Sequence, residues 1–391
     1  KTYAAKLIQE KVCTAKDVDD FKQKALQICE EALEEVKARV WPAAAKTNRH
    51  PGLEPGSSTG SRVKLRMTSA PSGKQHTYLE AISLAVQEIL EQNPKAYVLG
   101  EDVSPPYGNA FMLFKSIPEK LWPQFINTPI SESAIIGSSV GMALEGLMPI
   151  AEMQFNDFIA SGFNQLVNNA AKFRYRTGKA APFILRMPYG GLRRAGPYHS
   201  QDTAAWFYRT PGLLIAVPST PSDARLLLHE ATRQQDPVLF YEHIALYRDP
   251  SLREELVDSG LGFGQAALRK QGNELTVISY GAYVHKALKA LQDVDCDVID
   301  LRTLVPLDFK AISKSIQKTG RVLLVGEDSK QGSVLESIGA QISEELFEHL
   351  DAPIKILGSQ STPVPYTPPL EDDYLVSDQQ IYEEVISLLT Y

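Results

Sequence analysis

From Thr77 onward, short apolar runs alternate with stretches of helical period, and this alternation constrains the fold more than any other property of the chain. The runs are AYVLGED (96–102), PIAEMQF (149–155), PFILRMPYG (182–190), LLIAVPS (213–219) and PVLFYE (237–242). Between them, 77–92, 131–146, 157–175 and 221–234 read as helices. Apolar runs this continuous belong to strands covered on both faces, which is the pattern of a parallel sheet with helices on either side. After a polar connection (249–260) the pattern restarts with ELTVISYG (274–281), CDVIDL (296–301), RVLLVGED (321–328) and PIKILG (353–358). The expected fold is therefore α/β: two parallel-sheet domains, 77–252 and a smaller 266–391, with PVPYTPPLEDD (363–373) as an extended loop before a last helix, 379–390.

The first fifth of the chain reads differently. Val18, Phe21, Ala25, Ile28 and Leu33 fall near a 3.6 period, so residues 3–40 are expected to form an N-terminal helical segment, with Thr14 as N-cap. Residues 42–76 change to Pro, Gly, Ser and Thr with no apolar period, the composition of a flexible linker. GSSTG (56–60) matches the GxSxG nucleophile pattern, but that motif works on a strand-to-helix turn and here sits in the linker. The chain starts at Lys1 rather than Met, which points to residues upstream, and KTYAAKLIQEK carries no apolar signal core.

Bulk properties exclude several classes. A net charge of −7 without a basic stripe argues against nucleic acid as a partner. No apolar run reaches the length of a membrane span. Cys13, Cys29 and Cys296 are scattered, with no CxxC pair, which excludes a zinc ribbon or a disulfide framework and fits a reducing compartment. GxGxxG, GxxxxGK[ST] and HExxH are all absent.

Four features can carry chemistry. Glu132 stands at the mouth of a helix rich in small residues (Ala134, Gly137, Ser138, Gly141, Gly146), which permit close approach of a ligand or another backbone. The plainer reading is an acid favoured by the helix dipole and a tightly packed helix pair. Glu101 ends the LGED strand, at the edge where open α/β sheets bind ligands. Two acids in one crevice push one pKa upward, as a proton-handling site requires; a solvated strand end is the alternative. MQFNDF (153–158) offers Phe158 as a flat face for an aromatic ligand, or as core. YGGLRRAGPYHSQD (189–202) is a Gly-rich loop, expected to be mobile, that bears His199 as acid, base or charge stabiliser, or merely as a solvated side chain.

Singly none of these is specific; their order is. LGEDV, NTPISE, EMQFNDF, FNQLVNNAAKFRY, MPYGG, HSQ, PGL and VPS, followed by IDLRTLVPLD and VPYTPPLED, resemble the beta part of the thiamine-diphosphate-dependent 2-oxo acid dehydrogenase decarboxylating component, a transketolase-like group. The resemblance covers about residues 77–391 and implies a pyrimidine-binding domain followed by a transketolase C-terminal domain. It places Glu132 on the acid that hydrogen-bonds the aminopyrimidine and so activates the cofactor. It places Phe158 on the ring that stacks on the pyrimidine, Gln154 beside it, Glu101 on a proton-relay acid, and His199 on the histidine that assists reductive acylation of the lipoyl group. A potassium ion is implied near Ala231, Gln234 and Asp236, although Gln234 stands where an Asp is common. Magnesium and the diphosphate are held in this family by a GDG motif of the alpha part, and no GDG occurs here. The resemblance thus implies half an active site.

The implied partners are an alpha part, as a separate chain or fused upstream (residues 1–41 resemble its tail), a second beta part within an alpha2beta2 assembly, and a dihydrolipoyl acyltransferase core. The second domain would supply the dimer interface and the core's docking face, with Glu371, Asp372 and Asp373 facing a basic patch. EMQFNDF and FRYRTG resemble the branched-chain enzymes more than the pyruvate ones. The expected location is the bacterial cytoplasm, or else the mitochondrial matrix. Competing readings are a transketolase or deoxyxylulose-type synthase, and a non-catalytic assembly subunit that docks the core.

Overall fold

The computed structural model describes residues 73–391 and nine positions between Thr14 and Glu31. The chain divides into two compact units, Lys1–Arg62 and Val63–Tyr391. In the first, the described positions from Lys16 to Glu31 are helical and exposed, and Gln27 donates to Glu31 one turn on at 2.8 Å. The apolar positions Val18, Phe21, Ala25, Ile28 and Leu33, Cys13, Cys29, GSSTG and nearly all of the linker lie outside the described residues.

The second unit opens with β1 (Gln75–His76), which pairs with β8 (Glu254–Glu255). Helix α1 (Tyr78–Gln92) begins with a reciprocal cap: Thr77 Oγ1 accepts the Glu80 amide at 3.2 Å while Glu80 accepts the Thr77 amide at 2.8 Å. Its face of Ile82, Val86 and Ile89 is fully buried, each side chain contributing about 1.5–3 kcal/mol.

A seven-stranded sheet follows, built from β2 (Ala96–Gly100), β3 (Phe125–Asn127), β4 (Met148–Glu152), β5 (Ile184–Tyr189), β6 (Leu214–Ala216) and β7 (Val238–His243), with a seventh strand, β12 (Thr303–Val305), contributed from later in the chain. Its helices are α2 (Glu132–Leu144), α3 (Ile159–Asn164), α4 (Ala171–Thr177), α5 (Ala204–Tyr208) and α6 (Pro221–Ala231). The second sheet contains β9 (Ala267–Lys270), β10 (Leu275–Ser279), β11 (Cys296–Asp300), β13 (Val322–Ser329) and β14 (Lys355–Ser359), with β12 (Thr303–Val305) lying between β11 and β13 in sequence. Helices α7 (Ala282–Ala290), α8 (Phe309–Thr319), α9 (Val334–Glu345), α10 (Pro368–Tyr374) and α11 (Asp378–Leu389) accompany it. The sheet orders are β12-β6-β7-β5-β4-β2-β3 and β14-β13-β10-β11-β9. β12 and β9 are the antiparallel members of their sheets.

Every strand expected from an apolar run is present. β1, β3, β8, β9 and β12 were not expected. β3 and β12 have three residues each, too short for a period, and β9 is a partly polar edge strand. β12 also crosses between lobes. Arg302, at φ +57, turns the chain off β11, and its carbonyl accepts the Val217 amide at 2.8 Å, so the second lobe adds a strand to the first lobe's sheet. One apolar core runs from Ile135 and Leu185 through Tyr189 and Tyr241 to Tyr280, Ile299 and Leu335, joining the sheets.

Two local expectations are corrected. The segment 363–373 is not extended throughout: α10 forms at Pro368–Tyr374, with prolines in its first turn, where the missing amide hydrogen costs nothing. The single helix expected over 157–175 is instead a 3₁₀ turn (Asn156–Phe158), α3, a π-helical turn (Gln165–Ala170) and α4. It ends at Gly178, in the left-handed region at φ +74. Among the described residues no helix is long and apolar enough to cross a membrane.

Candidate active site

β2 and β4 are parallel neighbours, so their C-terminal ends open on the same edge of the sheet. Glu101 follows β2 there and is buried, with 8% of its surface exposed. Its carboxyl makes no hydrogen bond among the described residues. Burial pushes its pKa up, and the nearby charge of Glu132, then Asp102, pushes it further. Glu132 is the first residue of α2 and is half-buried. Its Oε2 accepts the Ser161 hydroxyl at 2.5 Å, and that hydroxyl also lies 3.0 Å from the Phe158 carbonyl oxygen. The pair expected to share a crevice does so electrostatically. Removing the Glu132 charge, as in Glu132→Gln, is expected to lower the Glu101 pKa while burial keeps it above the ordinary carboxylate range. Isotope-edited infrared titration of the carboxyl checks this, and an unmoved Glu101 midpoint would show the two acids to be uncoupled.

The small residues of α2 divide in two. A Cβ on Gly141 would meet nothing within 4 Å, and one on Gly137 only the Gln165 side chain at 3.9 Å. Ala134, Ser138 and Gly141 are exposed, so among the described residues this side of the stripe is left uncovered. The close approach occurs at Gly162, where a Cβ would come 2.6 Å from Ile136 Cδ1 and 3.3 Å from the Glu132 carbonyl oxygen. Gly162 and Ser161 seat α3 on the first turn of α2; nothing in the sequence reading singled them out.

β4 leads through Met153, Gln154 and Phe155 into the Asn156–Phe158 turn. Phe158 is half-buried and stands edge-on to Phe155 at 5.7 Å and to the His199 ring at 5.4 Å. Phe155 and His199 meet at 4.6 Å with their planes at 88°. Such edge-to-face pairs are worth about 0.5–1.5 kcal/mol each. Gln154 is half-buried and its amide makes no hydrogen bond among the described residues. Glu101, Glu132, Phe158 and His199 are thus brought together, with Gln154 beside Phe155.

The three positions considered for potassium lie elsewhere. Asp236 precedes β7, at the opposite edge of the sheet, and accepts Arg174 at 2.6 Å. The Ala231 carbonyl accepts the Gln234 amide at 3.2 Å. A guanidinium already pairs with the one carboxylate of the set.

The His199 loop is pinned. Gly191 N donates to Glu327 Oε1 at 2.5 Å, and His243 Nε2 lies 2.7 Å from Glu327 Oε2. Arg194 donates to Glu371 at 2.6 Å and to Asp372 at 2.7 Å. Tyr280 donates to Asp202 at 3.0 Å. The loop's glycines serve close packing rather than mobility: a Cβ would lie 2.4 Å from His243 Nε2 at Gly190 and 2.2 Å from the Tyr366 ring at Gly196. Glu371 is fully buried under Arg194 and does not face outward as the docking idea required.

Behind the site, fully buried Arg186 bridges Glu152 and Glu242; its Nε and Nη2 reach Glu242 at 2.7 and 2.6 Å, and Nη1 contacts Glu152. Tyr247 donates to Glu242 at 2.6 Å and Asn109 to Glu152 at 2.8 Å. Among the described residues no group of three or more His, Cys, Asp or Glu side chains could hold a metal ion.

The transketolase pyrimidine-binding domain family matches residues 74–250 and the transketolase C-terminal domain family residues 264–381. This chain therefore belongs to the transketolase-like beta subunits of 2-oxo acid dehydrogenases. It is 43% identical over 314 residues to the 2-oxoisovalerate dehydrogenase subunit beta of Bacillus subtilis (strain 168), spanning 78% of this chain and 96% of that protein. It is 37% identical over 320 residues to the pyruvate dehydrogenase E1 component subunit beta of Gracilaria tenuistipitata var. liui, spanning 79% and 98%. Among solved structures, a split-gene transketolase described as an inactive beta4 tetramer superposes with a TM-score of 0.65 at 23% identity, covering 81% of this chain and 99% of that one. At that identity the likeness is one of fold.

Proposed function

We propose that this chain forms the pyrimidine half of a thiamine diphosphate site and, completed by an alpha part, decarboxylates a branched-chain 2-oxo acid and passes the acyl group to a lipoyl group. The observation that carries this is the juxtaposition of half-buried Glu132, aromatic Phe158 and buried Glu101 at one sheet edge. An open carboxylate, a flat ring and an unengaged Gln154 amide are a donor and acceptor set that suits an aminopyrimidine. Bound thiamine diphosphate supplies the electron sink needed to release carbon dioxide from a 2-oxo acid.

The chain's own residues then have distinct tasks. Glu132 hydrogen-bonds a ring nitrogen and shares its proton, a contact that strengthens when the seam is closed and its dielectric falls. Phe158 presents the stacking face. Glu101, its pKa raised by burial and by Glu132, keeps a proton at a pH where an ordinary carboxyl has lost it, and can return it. His199 stands edge-on to Phe155 and Phe158, beside the stacking face, where it can donate to an arriving lipoyl sulfur. Magnesium and the diphosphate fall to the alpha part, separate or fused upstream. The full assembly is alpha2beta2 on a dihydrolipoyl acyltransferase core, in the bacterial cytoplasm.

The test is reconstitution with the alpha part and comparison of substrates. Branched-chain 2-oxo acids are expected to exceed pyruvate in kcat/KM by about 10–200-fold, the discrimination a hydrophobic pocket gains from one or two methylenes. A preference for pyruvate would assign the pyruvate version of the component. No thiamine-dependent turnover with either would assign an assembly subunit.

A further inference from the structure

His199 has no hydrogen bond at either ring nitrogen among the described residues; its ring is bounded by the edges of Phe155 and Phe158. An imidazole without its own anchor takes its place from its backbone. Two residues on, that backbone is clamped. Asp157, 7% exposed, accepts Gln201 Nε2 at 2.8 Å and Gln201 N at 3.3 Å on Oδ1, and Asn156 Nδ2 at 3.0 Å on Oδ2. Asn156, fully buried, donates to the Gln201 carbonyl at 2.9 Å and accepts Thr203 Oγ1 at 2.5 Å and Thr203 N at 3.2 Å. The other anchors of the loop, at Gly191, Arg194 and Asp202, lie further from His199 along the chain, Asp202 by a single residue more than Gln201. The clamp and Phe158 belong to one short turn, Asn156–Phe158.

We infer that Asp157 is a positioning residue: through Gln201 it sets the His199 imidazole against the same turn that carries the Phe158 face, so that the acyl-transfer group and the cofactor platform move as one body. This rests on the reading of His199 and Phe158 given above. Burial pushes the Asp157 pKa up, and the Gln201 hydrogen bonds oppose that rise, so the clamp also helps to keep its own acceptor ionised.

The role separates two partial reactions. Decarboxylation read with 2,6-dichlorophenolindophenol as artificial oxidant does not need His199 in place, whereas acylation of a lipoyl domain does. In the reconstituted assembly, Asp157→Ala is expected to leave the dye-coupled rate within about threefold and to cut lipoyl-domain acylation by about 10–100-fold in kcat with little change in KM, since displacement by about 1 Å costs that much. Asp157→Asn keeps the acceptor toward Gln201 but sets an amide against Asn156 Nδ2, so its loss is smaller. Gln201→Leu, whose side chain is only half-buried, reads the same clamp should Asp157→Ala fail to fold. Equal falls in both rates, or no fall in either, would overturn the positioning role while leaving the proposed reaction standing. A wild-type assembly without thiamine-dependent decarboxylation would overturn both.

Discussion

Glu132→Gln is expected to fold as the parent does and to lose thiamine-dependent decarboxylation by about 10²–10⁴-fold, the range that a positioned proton-handling group contributes. Folding survives because the glutamine carbonyl can still accept the Ser161 hydroxyl, and because the side chain is half-buried rather than part of the core. Catalysis does not survive, because an amide cannot share a proton with a pyrimidine nitrogen as a carboxyl can. The measurement is carbon dioxide release by the reconstituted assembly, alongside thermal unfolding of the isolated chain. Turnover near the parent's would remove Glu132 from the chemistry and leave a scaffold role for the chain. The loss should appear equally in dye-coupled and lipoyl-coupled assays, unlike that of Asp157→Ala, which separates them.

The largest effect on stability is expected at Arg186. Arg186→Leu leaves Glu152 and Glu242 buried without a cation between them, and breaking a buried ion pair from one side costs about 3–5 kcal/mol. The pH dependence follows from which state binds more protons. Burial already holds the Glu152 pKa above its usual value even with Arg186 present. Without the guanidinium the Glu152 carboxyl must take a proton to stay inside, so its folded pKa rises further above the unfolded one. A group raised in this way contributes stability that is full below its unfolded pKa, about 4.3 for Glu, and lost as pH rises through its folded pKa. The deficit of Arg186→Leu relative to the parent should therefore widen between pH 5 and pH 8 in urea denaturation. A deficit that stays flat across that range would show that the variant's cost lies in packing, not in stranded charge. Adding Glu152→Gln and Glu242→Gln is expected to recover part of the loss at the upper end of that range.

Local pattern carried most of the architecture. Apolar runs such as PVLFYE and CDVIDL can be satisfied only by strands covered on both faces, so their existence and type needed no partner to be known. The site's acids and rings were legible for a related reason: Glu101, Phe158 and His199 follow strands, at the one edge where an α/β sheet opens. Gly137 and Gly141 signal room for an approach without saying what approaches; among the described residues the close contact of α3 on α2 falls at Gly162. The prolines of 363–373 suggested an extended loop, yet two of them begin α10.

The alternation of strand and helix, the restart after residue 260 and the succession of chemistry-bearing residues were determined by the sequence alone, because each depends on neighbours within a few positions. Tertiary structure decided the crossing of β12 into the first sheet, the burial of Glu371 beneath Arg194, the coupling of Glu101 to Glu132 and the clamp of Asp157 on Gln201. Each of these joins residues from tens to well over a hundred positions apart, and the strength of a charge or a hydrogen bond depends on the burial that only such distant packing creates.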